Sequence, residues 1–196
     1  PTRRSSDLID ESDKTAIGNP HPDFTYGLNI NIGYKNWDLT TFFQGTHGND
    51  IFALMKYDWY FGGGNSAILK DAFYKSWTPQ STNPEAPKLN SKNSAGINAL
   101  PSTFYVEDGS YFRCKNLQIG YSLDNSLLNK YHIELLRIHA GIQNLFTITK
   151  YPLYDPEISA NALFDRGVDG FWRAQESPHE ATMNSVVYNI GINLTF

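Results

Sequence analysis

Five stretches of the chain alternate apolar and polar positions with a period of two, not 3.6, and each predicts a β-strand. In 24–34, Phe24, Tyr26, Leu28, Ile30, Ile32 and Tyr34 share one face opposite Thr25, Gly27, Asn29, Asn31 and Gly33. In 37–45, Trp37, Leu39, Thr41 and Phe43 oppose Asp38, Thr40 and Gln44, with Phe42 as the exception. In 111–121, Leu117, Ile119 and Tyr121 oppose Asn116, Gln118 and Gly120, and Arg113 and Lys115 break the apolar face at its start. In 134–146, Leu136, Ile138, Ala140 and Ile142 oppose Arg137, His139, Gly141 and Gln143. The last stretch puts Val186, Tyr188, Ile190, Ile192, Leu194 and Phe196 against Asn189, Gly191, Asn193 and Thr195.

The connections alternate in length. Lys35-Asn36 joins the first two strands, about 46–110 separates the second and third, a shorter stretch around 122–133 joins the third and fourth, and about 147–184 precedes the fifth. Short, long, short, long is the plan of an outer-membrane barrel, with brief turns on one side and extended loops on the other. Aromatics on the apolar faces sort by height. Tyr34, Trp37, Tyr121 and Phe196 fall at the short-turn rim, and Phe24, Tyr26, Phe43, Phe146 and Tyr188 at the other, with aliphatics between. From Tyr188 to Phe196 a tilted strand advances roughly 21 Å, close to the ~25 Å apolar band between two aromatic girdles. The pattern predicts an all-β fold of antiparallel up-and-down strands, part of a transmembrane β-barrel with long extracellular loops containing a short helix. A soluble β-sandwich binding carbohydrate is the alternative; it predicts charged solvent faces and aromatics unsorted by height.

Composition narrows the function classes. Sixteen Lys+Arg against twenty Asp+Glu give a net charge of −4, with no polycationic surface for nucleic acid. No apolar run approaches the ~18 residues of a membrane helix, which leaves β-strand spanning open. The single Cys114 allows no intrachain disulfide and, without a catalytic partner nearby in sequence, reads as an inert thiol. The first eight residues, PTRRSSDL, lack a Met and resemble the translation of a sequencing adapter, so residues 1–8 are expected to be non-native and 9–196 to carry the fold.

Local features in the long connections are modest. SAILKDAFYKSWTP (66–79) predicts a short helix ended by Pro79, and 79–101 should be irregular. FGGGN (61–65) lacks the Lys-Ser/Thr of a phosphate loop. The five histidines have no zinc spacing, and His139 falls on the polar face, as a filler of the barrel interior. Asp10, Glu11 and Asp13 have carboxylate spacing suited to calcium, but as a remnant they read as a solvated acidic loop. Asp155, Glu157, Asp165, Asp169 and Glu176 are not spaced to fix two carboxylates across a glycosidic bond, so no catalytic residue, cofactor or metal is assigned and the chain is not expected to be an enzyme. Trp59, Tyr60, Phe61, Phe171 and Trp172 lie in the loops and offer flat apolar area for a ligand or a covering protein; packing within the loop core is the competing use of them and of Trp77.

Several stretches carry a family resemblance: GNPHPDFTYGLNINIGYKNWDLTTFFQGTHGNDI (18–51), YFRCKNLQIGYSL (111–123), LRIHAGIQNLFTITKYPLYDPE (136–157) and the ending YNIGINLTF. In order and spacing they resemble the C-terminal barrel strands of the SusC/RagA-type TonB-linked outer-membrane transporters. The resemblance implies a plugged barrel of about 22 strands, of which this chain would supply the last few, with the plug and TonB-contacting segment upstream. It also implies import of oligosaccharides or peptides, a SusD-like surface lipoprotein as lid, the TonB complex as partner, and an aromatic-ended last strand read by the barrel-assembly machinery. IDESDKTAIG (9–18) resembles the end of an Asp-rich, calcium-loop-like stretch of that family.

Overall fold

The computed structural model describes residues 14–53, 56, 60, 70–86, 88, 100–124, 128, 132–153, 155–157, 167 and 184–196. In chain order its elements are β1 (Phe24–Tyr34), β2 (Trp37–His47), β3 (Asp50–Phe52), helix α1 (Lys70–Lys75), a 3-10 turn (Thr103–Tyr105), β4 (Val106–Asp108), β5 (Tyr111–Ser122), β6 (Leu135–Thr149) and β7 (Val187–Thr195). β1, β2, β5, β6 and β7 form one sheet in that order, each pair antiparallel, and β3 and β4 form a two-stranded sheet. All five predicted strands are present, in up-and-down order. The two-stranded sheet was not foreseen, because three-residue strands are too short to show a period.

The chain divides into two compact units. The larger comprises Pro20–Met55 and Glu107–Phe196 and holds the five-stranded sheet. Its register preserves the faces read from the sequence: Tyr26, Leu28, Ile30 and Ile32 pair with Gly45, Phe43, Thr41 and Leu39. Across β6 and β7, Leu136, Ile138, Ala140 and Ile142 meet Leu194, Ile192, Ile190 and Tyr188. The Lys35-Asn36 turn is tight because Lys35 adopts the left-handed conformation at φ +54. Asn36 then ties this turn to the end of β5, its Nδ2 donating to the Ser122 carbonyl (2.9 Å) and to Asp124 (2.6 Å). Glu134 N–H donates to the Thr195 carbonyl, so the 122–134 connection and the end of β7 gather on the same side. The short turns therefore share one end of the sheet, as their alternation in length predicts.

A β-bulge changes one part of the pattern. The register of β5 against β2 shifts between Phe42 and Phe43, leaving Lys115 as the extra residue. Against β6, Cys114 pairs with Phe146 and Asn116 with Gln143, so there Lys115 faces two residues, Asn144 and Leu145, and Asn144 is left-handed at φ +52. A single inserted residue exchanges the two faces of everything before it. Arg113 and Lys115 therefore do not interrupt the apolar face, contrary to the strict alternation. Phe112 and Cys114 take the apolar face instead, opposite Gly45 and Phe43, and Arg113 turns to the polar face beside Gln44 and Thr147.

The bulge also brings Tyr26 and Phe112 together over Gly45. The Tyr26 hydroxyl donates to the Tyr111 carbonyl at 3.3 Å, and its ring occupies the space a Gly45 side chain would need. A Cβ on Gly45 would lie 2.4 Å from that carbonyl oxygen, a backbone atom that cannot yield without parting β2 from β5. Gly45→Ala is expected to cost about 1–3 kcal/mol as an overpacking change. Denaturant midpoints of the lipid-reconstituted protein would check this; an unchanged midpoint would mean that the two strands are not held this closely.

The smaller unit comprises Pro1–Asn19 and Lys56–Val106. α1 buries Ala72 completely and leaves Phe73 and Tyr74 exposed. The helix stops at Lys75, short of the expected Pro79, because the Lys75 carbonyl accepts from the N–H groups of Glu85 and Ala86 (3.1 Å each) and Ser76 bridges to Ala86. Around Pro79, the Thr78 N–H donates to Ser81 Oγ at 2.8 Å, turning the chain back. Residues 66–69 of the expected helix and the 61–65 turn lie outside the described residues.

Candidate functional site

The larger unit presents two chemically distinct faces, and their contrast is the functional feature. On the apolar face Leu28, Ile32, Ile119, Ile138, Ile190 and Ile192 are all exposed, Ile190 to 83%. A soluble sandwich would cover these positions with a second sheet, since burying such side chains contributes about 1.5–3 kcal/mol each. Rings bound the face at both ends. At the short-turn end Trp37 and Tyr121 meet at 4.7 Å between centroids. At the other, Phe112 stacks on Phe43 (5.5 Å) and Tyr26 (6.3 Å) and meets Phe146 at 6.2 Å.

The two rims do not follow the hydrogen-bonded rows. The row through Tyr121 reaches Ile192 in β7, whereas the rim residue there is Phe196, four positions further on. At the opposite rim Phe146 is answered not by its own row but by Tyr188, which pairs with Ile142, again four positions nearer the short-turn end. Both rims step together, as they must when strands tilt across a flat apolar slab.

The polar face is low in relief. Asp38 pairs with Gly120, which leaves room for Arg137 to reach over the glycine and donate from Nε (2.9 Å) and from Nη2 to the Asp38 carboxylate. A Gly120 Cβ would come within 2.5 Å of both charged groups. Partly exposed at both ends, this pair contributes under about 1 kcal/mol. His139 occupies the same row, between Gly120 and Gly191, and its buried Nδ1 has no hydrogen-bond partner among the described residues.

The strongest electrostatic feature lies on the polar face at the long-loop end. The Arg113 side chain is 2% exposed. Its Nε donates to Thr147 Oγ1 (2.7 Å), Nη1 to Glu157 (2.7 Å) and Nη2 to Asp155 (2.6 Å), while the guanidinium lies 5.4 Å from the Tyr111 ring centroid. Lys115 donates to both Glu157 oxygens at 2.8 and 2.6 Å. From the far side of the long connection, Asn184 donates its side-chain amide to Glu157 (3.0 Å) and its N–H to Asp155 (3.3 Å). The YDPE carboxylates are thus acceptors in a structural latch that fastens both ends of the 147–184 connection to β5. Each nitrogen of Arg113 donates, and Glu157 accepts in addition from Lys115 and Asn184. The sequence signal was the charged pair interrupting an alternating strand, legible only once a bulge is allowed.

Outside the membrane-like band, hydrogen bonding from Ser110 outweighs desolvation and holds the Asp108 carboxyl below its ordinary range. The Ser110 N–H donates to it at 2.9 Å, so the turn entering β5 carries an ionised cap at neutral pH.

Of the loop aromatics expected to meet a ligand or a covering protein, Trp59, Phe61, Phe171 and Trp172 lie outside the described residues. Tyr60 is buried in the smaller unit, edge-on to Phe104 with centroids 5.0 Å apart. Trp77 stays exposed. Asp10, Glu11 and Asp13 lie outside the described residues, as do Asp165, Asp169, Glu176 and His179. Cys114 is buried, with Sγ 3.8 Å from Thr41 Oγ1.

No family model matches the chain. TonB-dependent receptor P3 of Formosa agariphila is 38% identical over 149 residues, 76% of this chain and 14% of the receptor. TonB-dependent receptor P26 of the same organism is 26% identical over 190 residues, 96% of this chain and 18% of the receptor. TonB-dependent receptor SusC of Bacteroides thetaiotaomicron is 26% identical over 159 residues, 81% of this chain and 15% of SusC. Among solved structures, the RagAB peptide importer in its closed-closed state superposes over the whole chain with a TM-score of 0.68 at 28% identity, and in its open-open state with 0.62 at 25%. The chain spans under a fifth of each of these proteins.

Proposed function

We propose that this chain, a stretch of a SusC-type TonB-dependent receptor, builds outer-membrane barrel wall in an energised importer of oligosaccharides or peptides. The observation that carries the reading is the exposed apolar face bounded by two aromatic rims that step together from strand to strand. Lipid is the environment that leaves such a face uncovered without cost. The polar face then lines the lumen, where amides, glycines and the Asp38–Arg137 pair meet water or a plug. The short turns are periplasmic and the long connections extracellular, which puts the Arg113 latch beneath the outer opening. The connections 46–110 and 147–184 contribute to the substrate vestibule, and Trp59, Phe61, Phe171 and Trp172 meet cargo or a SusD-like lipoprotein lid. Tyr60, spent on Phe104, supports that loop from within. The TonB complex supplies energy through other parts of the receptor, and the receptor performs no chemistry on its cargo.

Uptake by cells with and without the receptor gene tests this. Labelled oligosaccharide or labelled peptide, offered separately, is expected to enter only cells carrying the gene and an intact proton gradient. Entry of both classes without either requirement would end the proposal. Cysteine substitutions add a topological readout: a membrane-impermeant maleimide should label Asn189→Cys and spare Ile190→Cys.

A further inference from the structure

The apolar face is not uniformly convex. Along the row Leu39–Ile119–Ala140–Ile190, one position carries a methyl group where its neighbours carry branched four-carbon side chains. Ala140 lines a groove of about 290 Å³ together with Trp37, Ile119, Tyr121, Ile138 and Ile190, and with Gly120 and His139. Its lining is almost wholly apolar. Ile190 and Ile119, on either side of Ala140, are exposed to 83% and 47%. At one end the Trp37 and Tyr121 rings, 4.7 Å apart, form the rim. Ala140 lies two residues beyond Ile138, which pairs with Tyr121, so the trough runs about 7 Å inward from the rim toward the middle of the band.

We propose that this groove is a binding site for one acyl chain of a phospholipid from the leaflet on the short-turn side. The inference rests on the membrane-wall reading above and adds a specific site to it. Three observations select the occupant. The groove is continuous with the face that meets lipid, so a chain enters it without leaving the bilayer. It is open along the face and apolar, lacking the polar groups that would orient a sugar or a peptide. Its open end coincides with the aromatic rim, where indole and phenol rings sit at head-group depth. Lys35, in the turn two residues before Trp37, places a cation at that same rim for the lipid phosphate.

Native mass spectrometry of the full-length receptor, extracted from outer membranes in a mild detergent, tests the site. Phosphatidylethanolamine is the probe, counted as retained adducts. Ala140→Phe fills the trough, and Ala140→Ile is a gentler filling that keeps strand propensity. Leu28→Phe places the same phenyl ring on the same face outside the groove. Wild type and Leu28→Phe are expected to retain one lipid more than either Ala140 variant. Occupancy in those variants should fall about tenfold, as expected from losing burial of roughly two methylenes. Equal retention in all four proteins would overturn the proposal. Loss of a receptor dimer rather than of lipid would assign the groove to a second copy and overturn it equally. Fractionation before extraction keeps the two readings apart: absence from the outer membrane defeats the wall reading itself, whereas presence with equal retention defeats only the groove.

Discussion

Arg113→Ala is expected to release the segment around Asp155 and Glu157, together with Asn184, from β5. The guanidinium is 2% exposed and donates to three side chains, two of them carboxylates. Removing one partner of a buried ion pair leaves the other charge desolvated and unpaired, which costs about 3–5 kcal/mol. The low end applies, about 3 kcal/mol, because Lys115 still donates to both Glu157 oxygens and Asp155 keeps the N–H groups of Glu157 and Asn184. Lys115→Ala should cost less, about 1 kcal/mol, since that ammonium and Glu157 are both partly exposed. The effect should also be local. Hydrogen exchange at the Glu157 and Asn184 amides, both of which donate to Asp155, is expected to accelerate in Arg113→Ala while β1 and β2 keep their protection. Uniform loss of protection would show that Arg113 holds the sheet rather than the loop, and unchanged protection at Glu157 and Asn184 would remove the latch altogether.

That latch marks the boundary of what strict periodicity can show. β1, β2 and β7 were legible almost to the residue because their two-residue alternation runs through, with Phe42 in β2 as its exception. β5 was legible as a strand, yet its first half was assigned to the wrong faces, since one inserted residue at Lys115 reverses the parity of Phe112, Arg113 and Cys114. The position of a bulge depends on pairing with β2 and β6, and pairing is not written in the strand that carries it. The same limit hid the function of Asp155 and Glu157: as loop acids they look solvated, and only the parity switch brings Arg113 to meet them. The aromatic rims were visible because membrane depth sorts residues along each strand independently of its neighbours. Their diagonal step across the sheet needed the register. Residues 9–13, the glycine turn and most of the loop aromatics belong to stretches with neither alternation nor helical period, where a sequence offers chemistry without placement.

Ile192→Arg is expected to destabilise the receptor in lipid by about 2–4 kcal/mol, the depth-dependent cost of a guanidinium at the middle of a barrel's lipid face. Ile192 lies midway between the rim residues Tyr188, in β7, and Phe196, just past its end, and is 66% exposed, so the arginine meets no steric obstacle. Its cost is therefore the cost of the solvent it faces. Asn31→Arg supplies the comparison, at a non-terminal position on the opposite face of β1, paired with Thr40. There the added charge enters a hydrated lumen and should cost less than about 1 kcal/mol, as surface substitutions do. Urea unfolding of the full-length receptor in phospholipid vesicles, followed by tryptophan fluorescence, measures both. A difference of about 1 kcal/mol or more between the two variants assigns the apolar face to lipid. In detergent-free buffer a soluble sheet would tolerate arginine at an exposed position 192 as readily as at 31, and equal midpoints would return the chain to that class. The comparison holds even if both variants fold slowly, because it reads which face is dry rather than how stable the wall is.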